Sequence, residues 1–374
     1  MSDLPVIEWQ EEGVEHRAQW RSEAGVPVPK RIVVADDQMK ADQAYRLACE
    51  GTALLWRGDF HNAKQLLQAL ARRIDRKPKK TGSSPAEAFH VHRQAQGQRA
   101  RVLGMVLVPL SADYAIPLRR APDVSHACRE AYGAPAGDAL VSLREVLGLI
   151  GAHEWHKKGV EIPALGAHVH PCYGVFSPVR GEYIDLLMQA PLPSLELAFD
   201  IGTGTGVIAA VLARRGVRHV VATDIDPRAL HCAQENLLTL GLEQQVELLQ
   251  THLFPTGKSP LIVCNPPWVP AKPSSAVEQA VYDPASRMLL GYLDGLAAHL
   301  APGGEGWLIL SDLAEHLGLR SREFLLAAIE KAGLRVLDRL DIRPRHPKAS
   351  DQADPLHQAR RAEVTSLWRL AAAG

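Results

Sequence analysis

The sequence predicts an α/β protein in two parts. The second part is a mostly parallel sheet that closes with an antiparallel strand pair; the first is a smaller α/β domain. Three observations carry this. The 374 residues exceed one ordinary domain. The second half alternates short apolar runs with helical stretches, the pattern of βαβ units. One of those runs enters a glycine-rich turn, Asp200-Ile201-Gly202-Thr203-Gly204-Thr205-Gly206.

The elements follow in chain order. Residues 1–40 are mixed, charged and proline-bearing, and read as partly loose. A helix is expected over Asp42–Glu50, a strand and turn over Thr52–Phe60, and a helix from Asn62 to Ile74. Strand, Gly58-Asp59, helix is the outline of a worn nucleotide-binding unit, and equally that of a plain αβ unit for substrate recognition. Arg101–Pro109 and Tyr114–Leu118 read as strands, and Glu154, Trp155 and Gly159 as linker. The boundary is placed between residues 160 and 161.

In the second part Leu195–Ile201 is a buried strand, Val207–Arg215 a short apolar helix stopped at Gly216, and His219–Thr223 the next strand, ending at Asp224. Asp226-Pro227 caps a helix that runs to Leu240, and Gly241 ends it. Leu261–Cys264 is a short strand. Arg287–Leu300 is an amphipathic helix stopped at Pro302-Gly303-Gly304, and Trp307–Ser311 a strand. Ser321–Ala332 is a helix, and Leu334–Ile342 and Glu363–Leu370 form the closing antiparallel pair.

Composition narrows the function classes. Formal charge is zero, so no bulk attraction to nucleic acid exists; a mild basic excess precedes residue 171 and a mild acidic one follows it. Five cysteines (49, 128, 172, 232, 264) form no Cys-x-x-Cys pair, which points to a reducing compartment and no zinc knuckle. The N-terminus does not read as a signal peptide, and the longest apolar run, Val102–Leu110, is too short to span a bilayer. A cytoplasmic location without membrane partners is expected.

The glycine turn lets backbone approach a nucleotide-like ligand. An acid about twenty residues on, Asp224, is placed to hydrogen-bond two ribose hydroxyls. A dinucleotide site wants Gly-x-Gly-x-x-Gly, but Val207 occupies the third glycine position. The tighter spacing fits S-adenosylmethionine, which has no pyrophosphate to cradle.

Asn265-Pro266-Pro267-Trp268 follows a strand directly, so Asn265 and Asp224 face one crevice. An exocyclic amine or an amide is a poor nucleophile because its lone pair is delocalised. The Asn265 side-chain oxygen and the Pro266 carbonyl form an acceptor pair that favours a pyramidal nitrogen. The two prolines fix φ and set those acceptors in place. Trp268 offers a flat ring for stacking. Glycine turn and tetrapeptide together point to methyl transfer from a sulfonium to a planar nitrogen.

With those residues in view, positions 170–370 resemble the class I S-adenosylmethionine-dependent methyltransferases of the Asn-Pro-Pro-aromatic group. The resemblance implies a Rossmann-like seven-stranded sheet. It fits two branches: ribosomal-RNA guanine-N2 methyltransferases, which carry a degenerate duplicate domain, and release-factor glutamine methyltransferases. It implies that Gly202, Thr203, Gly204 and Gly206 line the cofactor together with Asp200, Ile225 and Asn265. Asp224 would hold the ribose, and Phe176, in Tyr173-Gly174-Val175-Phe176-Ser177-Pro178, would cover the methionine end. His252 stands where these families carry an adenine-contacting acid, and Trp268 replaces their more usual Tyr or Phe. The expected substrate is the exocyclic amine of a base in RNA, with guanine N2 of ribosomal RNA the expected position; the alternative is a protein glutamine. A third reading is a non-catalytic binding protein on the same fold.

Three further features complete the reading. Arg72, Arg73, Arg76, Lys77, Lys79 and Lys80, extended by Arg99, Arg101, Arg119 and Arg120, form either a solvated face or a phosphate-contacting one. Arg343–Arg361 is a long basic loop, either a substrate lid or a loose connection. His168-x-His170-x-Cys172 has the alternation of a metal triad, but Pro171 breaks it and no fourth ligand is near, so no metal is expected.

Overall fold

The computed structural model describes residues 4–76, 82–135, 137–273, 278, 281–345 and 354–373. Lys77, Lys79 and Lys80 of the basic run, and Lys348 of the long loop, lie outside these residues. The chain divides into two compact units, one of residues 1–81 and 90–154, the other of residues 82–89 and 155–374. None of the described helices is long and apolar enough to cross a membrane.

The first unit is a six-stranded sheet in the order β1-β2-β6-β5-β4-β3. The strands are β1 Val6–Glu11, β2 Val14–Arg21, β3 Arg31–Ala35, β4 Thr52–Trp56, β5 Val106–Leu110 and β6 Ala139–Ser142. Residues 4–40, expected to be partly loose, supply three strands. Glu12 and Gly13 both have positive φ (52° and 81°), the backbone of a two-residue hairpin turn, and Ile7 and Trp20 are buried at the open end of the hairpin. One strand expectation is shortened, Arg101–Pro109 being strand only from Val106, and one fails. Arg101 to Leu103 end the helix Pro85–Leu103. Tyr114–Leu118 is irregular because Tyr114 has φ 68° and donates its N–H to Ser111 in a turn. Glu154 and Trp155, expected as linker, lie inside the helix Leu143–Lys158, and the division between the two units falls between them.

From β3 to β6 the order in this sheet simply follows the sequence, without the reversal that marks a nucleotide crevice. It does not repeat the order of the second sheet. Four arginines of the basic set pair with acids. Arg73 pairs with Asp42 at 2.8 Å, Arg99 with Asp75 at 3.1 Å, and Arg119 and Arg120 both with Asp59, at 2.8 and 2.7 Å.

The second unit is built on a seven-stranded sheet ordered β11-β10-β9-β12-β13-β15-β14. Its strands are β9 Leu197–Ile201, β10 His219–Asp224, β11 Val246–Gln250, β12 Ser259–Cys264, β13 Leu300–Ser311, β14 Leu334–Ile342 and β15 Thr365–Ala372. β9 to β13 pair in parallel, while β15 runs antiparallel between β13 and β14. A hairpin of β7 Val160–Ile162 and β8 Ala167–Val169 precedes it. Both faces are covered, which is why the central strands read as unbroken apolar runs. Leu261 and Val263 pack among the residues of helix Val207–Arg214 on one face. Ile262 and Cys264 pack against Leu289, Tyr292 and Leu293 of helix Arg287–His299 on the other. The Arg343–Arg361 segment holds a short helix, His357–Ala362, among its described residues.

Candidate active site

β9 is the strand at which the order reverses: the chain goes out to β10 and β11, then returns to lay β12 on the far side of β9. The carboxyl ends of β9, β10 and β12 therefore border one crevice. They carry the glycine turn, Asp224 and Asn265. The cavity there has a volume of about 810 Å³, and it is lined by Phe176, Gly202, Thr203, Gly204, Asp224, Ile225, His252, Asn265, Pro266, Pro267 and Trp268.

The turn is held by backbone and by one buried acid. Gly202, Gly204 and Gly206 have φ of 74°, 56° and 79°, which L side chains rarely adopt. The N–H groups of Gly202 and Thr203 both donate to the Thr223 carbonyl, at 2.9 and 2.8 Å. Asp200 is fully buried and accepts from Thr203 Oγ1 at 2.7 Å and from the Ala209 N–H at 3.1 Å. Burial pushes its carboxyl up to about 7, against those two hydrogen bonds.

Two sequence expectations are corrected here. Asp200 does not line the cavity; it braces the turn from beneath. Gly206 does not line it either. A Cβ on Gly206 would come within 3.1 Å of Ala233 Cβ, so this glycine serves close packing of two helices. Gly204 has open space where a Cβ would stand, on the cavity side of the turn.

Asp224, half-buried at the end of β10, accepts from the Gly204 N–H with one oxygen and from the Asp226 N–H with the other, both at 3.0 Å. Burial raises its pKa, and those hydrogen bonds act against the rise. Each oxygen keeps a lone pair for a further donor. Beyond it Thr251 donates to the Asp224 carbonyl, and His252 stands exposed on the rim.

At the end of β12, Trp268 Nε1 donates to Asn265 Oδ1 at 2.8 Å. The Arg180 guanidinium lies 6.0 Å from the Trp268 ring centroid and pairs with the buried Glu363 carboxylate at 2.9 Å. The opposite wall is the turn before helix Arg287–His299. There Ala285 and Ser286 adopt left-handed φ of 56° and 55°, and the buried Asp283 carboxylate accepts from the N–H groups of Met288 and Leu289 at 3.0 and 3.1 Å. This sets the Met288 thioether against Gly202.

Arg180, Tyr183, Asp283, Arg287, Met288 and Arg360 also line the cavity, and sequence reasoning missed them. No periodicity or motif distinguishes them from ordinary helix-end residues. No group of three or more His, Cys, Asp or Glu able to hold a metal occurs among the described residues. His170 is engaged instead: its N–H donates to Asn236 Oδ1, and its Nδ1 lies 2.7 Å from the His156 carbonyl.

Comparison with known proteins matches residues 168–313 to the methyltransferase small domain family. A release factor glutamine methyltransferase of Cereibacter sphaeroides is 33% identical over 183 residues, covering 44% of this chain and 63% of that protein. One from Moorella thermoacetica is 42% identical over 124 residues, covering 32% and 44%. A ribosomal protein L11 methyltransferase of Chelativorans sp. is 34% identical over 119 residues, covering 32% and 36%. The chain thus spans less than two thirds of each of these relatives.

Proposed function

We propose that this chain, which carries a methyltransferase small domain on the class I fold, transfers a methyl group from S-adenosylmethionine to a side-chain amide nitrogen of a protein, glutamine being the favoured residue. One observation carries the reading: the glycine turn, Asp224 and Asn265-Pro266-Pro267-Trp268, distant in sequence, line one cavity.

The residues fit the cofactor. The open side of Gly204 leaves room for backbone approach, and Asp224 has acceptor capacity left for two ribose hydroxyls. Phe176, Ile225 and Met288 give apolar cover, and His252 on the rim stands beside the expected adenine position. When bound, S-adenosylmethionine supplies a methyl group on a positively charged sulfur.

The chain's own residues then act on the acceptor. Asn265 Oδ1 and the Pro266 carbonyl accept the two N–H groups of a planar amide, which draws its lone pair out of conjugation. Trp268 stacks on the flat group and excludes water. After transfer the charged nitrogen is acidic, so its proton leaves without a dedicated base.

A glutamine amide is preferred over an RNA base on two grounds. The matched relatives are named for protein substrates, a release factor and ribosomal protein L11. And Arg73, Arg99, Arg119 and Arg120 of the first unit each pair with an acid, ion pairs that a phosphate contact would have to break.

Incubation with methyl-labelled S-adenosylmethionine and separated protein and RNA fractions tests this. Label is expected in protein, as N5-methylglutamine after digestion; label confined to RNA overturns the substrate assignment. Asn265→Ala is expected to lower turnover by about 100-fold or more, as loss of a group aimed at developing charge does, while cofactor affinity measured by calorimetry stays within about twofold.

A further inference from the structure

The side-chain oxygen of Asn265, the atom assigned above to the acceptor amide, already accepts one hydrogen bond within its own tetrapeptide, from the indole N–H of Trp268 at 2.8 Å. Among the described residues Asn265 makes no other side-chain hydrogen bond. A carboxamide held by nothing else can present either its oxygen or its NH₂ to the cavity, and the NH₂ end would repel the N–H groups of an amide substrate. An indole N–H is a donor only, so it can bond Oδ1 and never Nδ2. One lone pair of Oδ1 goes to Trp268 and the other remains for substrate. A Phe ring at this position has no donor to offer.

Trp268 is itself held by its neighbours. Arg320 is buried, 7% exposed; its Nη2 donates to the Trp268 carbonyl at 3.1 Å and its Nη1 to Ser286 Oγ at 3.3 Å. It makes no ion pair among the described residues, so its burial carries a desolvation cost, opposed by the charges of Glu315 and Asp283 and by the two hydrogen bonds of the bridge. The bridge joins the Asn265–Trp268 turn to the Asp283–Met288 turn, the two walls of the cavity. The Arg180 guanidinium lies 6.0 Å from the centroid of the ring.

We propose that Trp268 and Arg320 are positioning residues. The indole N–H of Trp268 selects the orientation of the Asn265 carboxamide, and Arg320 holds Trp268 in place to do so. The proposal rests on the methyl-transfer reading, and its test separates the two. Two replacements remove the donor: Trp268→Phe, and site-directed exchange of Trp268 for its benzothienyl analogue, in which sulfur replaces the N–H and the ring size is kept.

Both are expected to lower kcat about tenfold, the scale of one lost hydrogen bond, with KM and cofactor affinity within twofold. Arg320→Met is expected to follow them, and Arg320→Lys to restore part of the loss. A second readout needs no activity. The side-chain NH₂ of Asn265 is expected as one well-dispersed pair of resonances in the ¹H–¹⁵N spectrum of the wild type, and as broadened or doubled resonances in the benzothienyl variant. An unbroadened pair in that variant, or an unchanged kcat, overturns the proposal. A wild type that methylates nothing sinks the transfer reading, and the resonances still decide the orienting role.

Discussion

Replacing Gly202 by alanine tests how the turn and the opposite wall share the cavity. Gly202 has φ 74°, and an L side chain in this left-handed region costs about 1–2 kcal/mol. The backbone cannot relax by rotation, because the N–H groups of Gly202 and Thr203 both donate to the Thr223 carbonyl at 2.9 and 2.8 Å. The new Cβ would collide with Met288 Cε. The Met288 N–H is held by Asp283 at 3.0 Å, so its main chain stays and the thioether end swings into the cavity. Two separable effects result. Urea unfolding is expected to show a loss of about 1–2 kcal/mol from backbone strain alone. Calorimetry is expected to show about tenfold weaker S-adenosylmethionine binding, equivalent to about 1.4 kcal/mol. Adding Met288→Ala removes the colliding methyl but not the strain. In that background Gly202→Ala is expected to bind as Met288→Ala does, a coupling of about 1.4 kcal/mol, while the stability loss persists. Equal affinity losses in the two backgrounds would refute the reasoning, since the defect would then lie in the turn itself.

Two further outcomes follow from the buried acids. The Asp200 carboxyl is raised from an ordinary 3.8 to about 7 by burial, so the folded chain binds a proton that the unfolded chain has released; stability therefore falls as pH rises from about 4 to 7. Asp200→Asn keeps an oxygen for Thr203 and Ala209 and cannot ionise, so the decline of the urea midpoint across that window is expected to flatten; an unchanged slope would assign it to other groups. Asp224→Asn keeps an oxygen but loses the charge that strengthens hydrogen bonds to ribose, so calorimetry is expected to give about tenfold weaker cofactor binding. Unaltered affinity would remove Asp224 from the cofactor site.

The second unit was far more legible than the first. Val207–Arg214, Pro227–Leu240 and Leu334–Ile342 carry strong local signals: a glycine or proline at an end and an apolar run between. In the first unit the hairpin at Glu12-Gly13 was missed because its strands are half exposed and rich in Glu, Gln and Arg. Tyr114 was misread because its apolar neighbours resemble a strand, while its positive φ is imposed by the Ser111 turn. Trp268 was readable as a stacking ring, but the direction of its N–H was not. The left-handed Ala285-Ser286 pair, which sets Met288 against the glycine turn, leaves no trace in composition.

Sequence by itself determined the fold class of the second unit, the glycine turn, the acid that follows it and the tetrapeptide with its rigid backbone. These are local facts: φ preferences, missing side chains and residue order act over a few residues and need no partner. Tertiary structure alone decided that Asp200 and Gly206 support the turn from outside the cavity, that Arg320 bridges its two walls, and that the first unit's strand order differs from the second's. Those depend on which surfaces meet across hundreds of residues. Burial, which turns Asp200 from an acid facing a ligand into a brace, is a property of the packed chain and not of any segment in it.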